Sequence, residues 1–145
     1  MYPELISERM ELMGHIVPDD HLGTYYTDWF SMAETARLLV QVHCGDMGQT
    51  ATVDVDLQQA TDNTGTGVKA IAGKAITQLT AAGGDGDDYC EINLRAEEMD
   101  AANSFDWVRV RMQCLVAASV VSVVVLGETP RYAPVSQTAK TEVIA

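Results

Sequence analysis

Gly65-Thr66-Gly67-Val68-Lys69-Ala70 has the spacing G-x-G-x-x-G/A of a dinucleotide-phosphate loop and follows a strand-like stretch. Such a loop works by presenting phosphates to the N-terminus of a long helix, with an acidic residue at the end of the next parallel strand for the ribose. Here the next acids, Asp85, Asp87 and Asp88, fall in a glycine turn, so the segment reads as a flexible hairpin tip and no cofactor is expected. Asp85-Gly86-Asp87-Asp88 offers oxygen ligands of the kind calcium takes, but it lacks the twelve-residue EF-hand spacing and the terminal Glu, and no metal is expected there. His15, His21 and His43 show no paired-ligand spacing. Ser31, Ser104, Ser119 and Ser122 have neither a G-x-S-x-G elbow nor a nearby His. Asp54 and Asp56 would lie about 7 Å apart on one strand face, at ~3.3 Å per residue, a spacing common to acidic sheets. No catalytic residue follows from any of these, and the chain is read as non-enzymatic. Arg109 and Arg111 share a strand face with Trp107, either as a polar binding surface or as a salt-bridged exterior beside Glu91, and the exterior face is the reading taken. Cys44, Cys90 and Cys114 form no CxxC pair and read as free thiols on apolar strand faces.

The elements that must position these residues are β-strands. Ala51, Val53, Val55 and Leu57 alternate with Thr52, Asp54, Asp56 and Gln58, so Thr50–Gln59 is a half-buried strand. Arg37–Cys44 is β-rich and is joined to it by Gly45-Asp46-Met47-Gly48, which reads as a hairpin turn. Trp29–Met32 is a short strand candidate. Tyr89–Arg95 alternates again, Ala96–Asp100 reads as one helical turn, and Phe105–Val116 is a long amphipathic strand. Ser119–Leu126 is nearly continuous in valine, which favours a central strand. Val68–Leu79 fits either an amphipathic helix or two short strands about Ala72-Gly73-Lys74; Gly73 and the surrounding pattern favour the strands. The fold class predicted is all-β, an antiparallel, jelly-roll-like sandwich of seven or eight strands over residues 23–127. Residues 1–22 are expected to form an N-terminal arm and 128–145 a C-terminal tail.

Nine Lys and Arg against twenty-one Asp and Glu give a net charge of −12, which excludes general nucleic-acid binding and disfavours anionic membranes. The longest apolar run, Cys114–Leu126, falls short of the ~20 residues a membrane helix needs, and the first residues have no basic, then apolar, leader pattern. Composition, 47% hydrophobic and 21% charged, is that of one globular domain.

The strings Leu57-Gln58-Gln59-Ala60-Thr61-Asp62, Gly65-Thr66-Gly67, Gly73-Lys74-Ala75-Ile76-Thr77-Gln78-Leu79-Thr80, Ile92-Asn93-Leu94-Arg95 and Trp107-Val108-Arg109-Val110 resemble a group of small tailed-phage and prophage proteins. The resemblance spans roughly residues 23–134, through Gly127-Glu128-Thr129-Pro130-Arg131-Tyr132. That group looks like virion structural components encoded among the head genes, so the resemblance implies a place in the phage head after synthesis in the bacterial host cytoplasm. The expected function is a capsid cement or decoration protein, with a head-to-tail connector or tail component second and a carbohydrate-binding adhesion module third. Expected partners are further copies of the chain and the major capsid protein. Leu5, Ile6, Met10, Leu12 and Met13, outside the sandwich pattern, are the candidate apolar contacts, with Arg131, Tyr132 and Pro134 second.

Overall fold

A computed structural model describes residues 5–130, together with Glu142 and Ile144. Strand β1 covers Glu11–Tyr26, β2 Phe30–Ser31, β3 Thr35–Met47, β4 Thr52–Ala60, β5 Lys69–Ala75, β6 Leu79–Thr80, β7 Tyr89–Arg95 and β8 Trp107–Pro130. A single helical turn, α1 (Ile6–Arg9), precedes them, and short 3-10 turns follow β6 and β7. All strand pairings are antiparallel.

The organising element is β8, 24 residues long. Its first half buries Val108, Val110, Met112 and Cys114, all even-numbered, and its second half buries Ser119, Val121, Val123 and Val125, all odd. Since side chains alternate strictly across a strand, an inserted irregularity must switch the parity. It lies at Val116, whose φ of 72° breaks the extended path. The strands beside β8 turn at the same level. β3 buries Leu38, Val40, Val42 and Cys44, whereas β4 buries Val53, Val55 and Leu57. Between them, a Cβ on Gly48 would come within 2.7 Å of the Ala118 carbonyl oxygen, so only glycine lets the two chains cross there. In β1 the pairing jumps from His21 opposite Ser119 to Gly23 opposite Cys114, with Gly23 at φ 127°.

One ribbon of long strands is therefore bent over on itself. The end of β8 lies between the start of β1 and β3, with β7 beyond; the beginning of β8 lies between the end of β1 and β4, with β5 beyond. The inward rows of both halves meet in a single core, and β5 approaches β7 on the far side, so the sandwich closes nearly into a barrel. This is the all-β, jelly-roll-like class the alternation predicts.

Four local expectations are corrected. Gly45–Gly48 is no hairpin turn, because β3 and β4 do not pair with each other and both run antiparallel to β8. Phe105–Val116 and Ser119–Leu126 belong to one bent strand. Val68–Leu79 is β, as favoured, but β5 runs through Gly73 (φ 73°) and the break falls at Ile76–Gln78. Most consequentially, the expected arm over 1–22 is a strand from Glu11 onward, paired with β8 and burying Ile16 and His21. Of the expected tail, Glu128–Pro130 ends β8, whereas Arg131, Tyr132 and Pro134 lie outside the described residues. No helix among the described residues is long and apolar enough to cross a membrane.

Candidate interaction surface

The residues with formal chemical spacing are engaged in holding turns and faces. Gly65 and Gly67 lead into β5 rather than a helix, so the loop does not open a helix N-terminus. Gly65, at φ 88°, lies so close to the Trp29 indole that a Cβ would sit 3.1 Å from it, which explains the glycine by packing. The Asp62 carboxylate closes the same loop, accepting from the Thr64 N–H at 2.9 Å, the Thr64 hydroxyl at 2.7 Å and the Thr66 N–H at 3.0 Å. Hydrogen bonds from Thr66 first, then Thr64, hold its carboxyl well below the usual carboxylate range. Asp85 accepts from the Thr80 N–H at 2.8 Å, and no group of three or more metal-binding side chains occurs among the described residues. Burial raises the Cys114 thiol to about 11 and also raises Cys44 and Cys90, so the three are poor nucleophiles at neutral pH.

On the outer face of the sheet half formed by β4, β5 and the beginning of β8, Asp56 takes a forked pair of hydrogen bonds from Arg111 at 2.8 and 3.0 Å, and Asp54 accepts from the Gln78 amide at 2.7 Å. The Arg109 Nε donates to Gln58 at 2.9 Å, and its guanidinium lies 4.0 Å from the Tyr26 ring and 4.6 Å from the Trp29 ring. The salt-bridged exterior is present, but its carboxylate is Asp56; Glu91 sits on β7 in the other half and accepts from the Tyr89 hydroxyl. Tyr26 and Trp29 were not legible as part of this face, because Tyr26 is the last residue of β1 and Trp29 lies in the β1–β2 connection. Trp107 turns to a shallow cavity of about 260 Å³ shared with Trp29, Glu11 and Glu34.

Two ends of the sandwich carry apolar side chains. At the terminal end β1 starts and β8 finishes side by side, and Arg9 reaches Glu128 at 3.8 Å. Leu5 and Ile6 are exposed there; Met10 lines a cavity of about 510 Å³ with Leu39, Leu126, Arg37 and Arg95. Leu12, opposite Leu126, and Met13 are half-buried in β1. The candidate contacts thus divide, with Leu5 and Ile6 open to solvent and Leu12 and Met13 built into the sheet.

At the bend end, Leu22 falls between His21, opposite Ser119, and Gly23, opposite Cys114, level with Leu115 and Val116; Val120 is opposite Asp20 and Val17 lies further along β1, and all five are exposed, with Val116 the most open at 71%. A β-branched residue in the left-handed region costs about 1–2 kcal/mol, which glycine or asparagine would avoid. Below the surface, His21 is buried and donates from Nε2 to the Val17 carbonyl at 2.9 Å, with its ring edge-on to Tyr25 at 4.4 Å. The sequence shows Leu115, Val116 and Val120 within one apolar run and Val17 and Leu22 nearly a hundred residues before it; the bend brings β1 beside that run.

No protein-family model matches the chain, and no curated protein matches it. Among solved structures, the chain is similar to one from the cryo-EM structure of Broad Bean Stain Virus (12% identity, 94% of each chain covered, TM-score 0.48). It is similar to a chain of a Cowpea Mosaic Virus empty virus-like particle (13% identity, 81% of this chain and 65% of that one, TM-score 0.41). A xylan-binding module is also similar (11% identity, 86% of this chain and 92% of that one, TM-score 0.38). At these values the likenesses concern the chain path and say nothing of function.

Proposed function

We propose that this chain is a non-enzymatic virion structural protein of a tailed bacteriophage, a cement or decoration protein of the head that self-associates and binds the major capsid protein. The observation that carries the reading is the terminal end. Although the sandwich closes around one core, Leu5 and Ile6 stand in water on a helical turn beside the strand where β1 begins and β8 ends. Apolar side chains held outside a complete core are what a contact to a neighbouring subunit requires. The resemblance of the Leu57–Asp62, Gly73–Thr80 and Trp107–Val110 strings to phage head proteins supports the virion as the setting. A strongly acidic chain also suits a position on a shell, since it is repelled by packaged DNA.

The test is co-sedimentation of the purified chain with phage capsids stripped of it, alongside sedimentation of the chain alone. Binding to the shells, with self-association lost on removing residues 1–9, supports the reading; failure to bind shells overturns it. A carbohydrate-binding module is the second reading, favoured by the exposed Tyr26 ring beside Arg109. Retention of the chain on a polysaccharide, abolished by Tyr26→Ala, would establish it instead.

A further inference from the structure

We propose that the bend end is a docking surface for a protein partner that presents an apolar pocket rimmed by Lys and Arg, and that a second copy of this chain does not cover it. In the virion reading, on which this rests for its setting, that partner surface belongs to the capsid shell.

Three observations converge. Leu22, Leu115 and Val116 are exposed aliphatic side chains at one level of the bend, between the pairs His21–Ser119 and Gly23–Cys114, with exposed Val120 opposite Asp20 and exposed Val17 further along β1. Large exposed apolar groups gathered at one place mark an interaction surface more than the same groups scattered singly. Around them stand Asp19 and Asp20 on β1, Asp46 on β3, and Asp87 and Asp88 before β7, all exposed. The last two belong to this end because Asp87 N–H donates to the Gly45 carbonyl and Cys44 N–H to the Asp88 carbonyl. None of these five makes an ion pair among the described residues, and no Lys or Arg occurs in 17–22, 44–52, 79–90 or 114–122.

The cations lie elsewhere. Arg37 stands opposite both Arg95 and Glu128 at the terminal end, and Arg109 and Arg111 lie on the outer face at the beginning of β8, beside β4. Carboxylates occur throughout the molecule, but the cations are confined to its other parts, so the bend presents exposed apolar side chains among charges of one sign. Complementarity requires a basic rim on the partner, whereas two bends meeting would bring like charges together. The third observation is Val116 itself, a β-branched residue kept at φ 72° at the most exposed point of the bend. Asparagine would relieve that backbone but remove the apolar contact.

The experiment uses the full chain and two variants, Val116→Asn and Leu22→Gln, against two probes. One probe is the stripped capsid shell. The other is a synthetic amphipathic helix of Leu and Lys only, whose contacts are mapped by NMR amide shifts. The proposal predicts that the peptide perturbs amides of 17–22, 44–47 and 115–120, and that both variants, still folded, bind shell and peptide at least roughly tenfold more weakly. It also predicts that salt weakens both interactions and that the variants keep the parent's sedimentation coefficient.

Peptide shifts spread over other acidic surfaces, or variants that bind the peptide as well as the parent, would overturn the proposal. So would a changed oligomeric state in Val116→Asn, which would name a second copy as the occupant. Peptide binding at the bend without shell binding keeps the docking surface and overturns the virion reading. Shell binding that neither variant weakens does the reverse.

Discussion

Ser119 is the clearest single-residue oddity of the core. It is fully buried at the bend, and its hydroxyl has no hydrogen-bond partner among the described residues. An unsatisfied buried hydroxyl carries a desolvation cost of about 1–3 kcal/mol that a methyl group does not. Ser119→Ala should therefore raise the melting temperature by a few degrees, at roughly 2–8 °C per kcal/mol for a domain of this size range. A lower melting temperature would show that the hydroxyl is satisfied by a buried water. Val110 gives the opposite case, since it is fully buried in the first half of β8. Val110→Asp places an unpaired carboxylate there at a cost of several kcal/mol against a total of about 5–15, and should leave no cooperative thermal transition. A soluble variant with the parent's melting temperature would contradict the register of β8.

At the scale of elements, the loop closed by Asp62 gives a pH dependence of definite sign. Its carboxyl is held below the ordinary value by Thr66 and Thr64, so its contribution is complete above the unfolded pKa of about 3.9 and is lost as pH falls through the lower folded value. Asp62→Asn should destabilise the protein at pH 7, with the gap closing below about pH 4. Denaturant unfolding of both proteins across that range is the measurement, and a gap independent of pH would refute the assignment. The first strand gives a second test. Deleting residues 1–9 removes α1 and leaves β1 whole, whereas deleting 1–17 removes Ile16 and the pairing of Glu11–Ile16 with β8. The shorter deletion should keep the far-ultraviolet strand signal and a cooperative melt, and the longer should lose both; equal stability of the two would return these residues to an arm. Strand legibility followed regularity. Tyr89–Arg95 alternates without interruption and is β7 from end to end. β1 carries register shifts at Leu12/Gly14, Ile16/Asp19 and His21/Gly23, so its period-2 signal is broken three times, and its apolar residues read as an arm. The switch at Val116 likewise divides one strand into two patterns of opposite parity. The Tyr26–Arg109–Trp29 stack was hidden for another reason, because Arg109 meets the two rings only through pairing across eighty or more residues.

The whole molecule has two unlike ends. The terminal end holds exposed Leu5 and Ile6 beside both cations and carboxylates, Arg9, Arg37, Arg95 and Glu128; the bend end holds exposed aliphatic side chains beside carboxylates and no Lys or Arg. Such polarity suits a subunit that meets its own kind through one end and another protein through the other. The measurement that tests this most directly is a cryo-EM reconstruction of the virion at a resolution that places strands. Copies of the sandwich are expected over the capsomers, with Val116 and Leu22 against the shell and α1 directed to a neighbouring copy. Density for the chain on the head-to-tail axis, on the tail, or nowhere in the particle would contradict this placement.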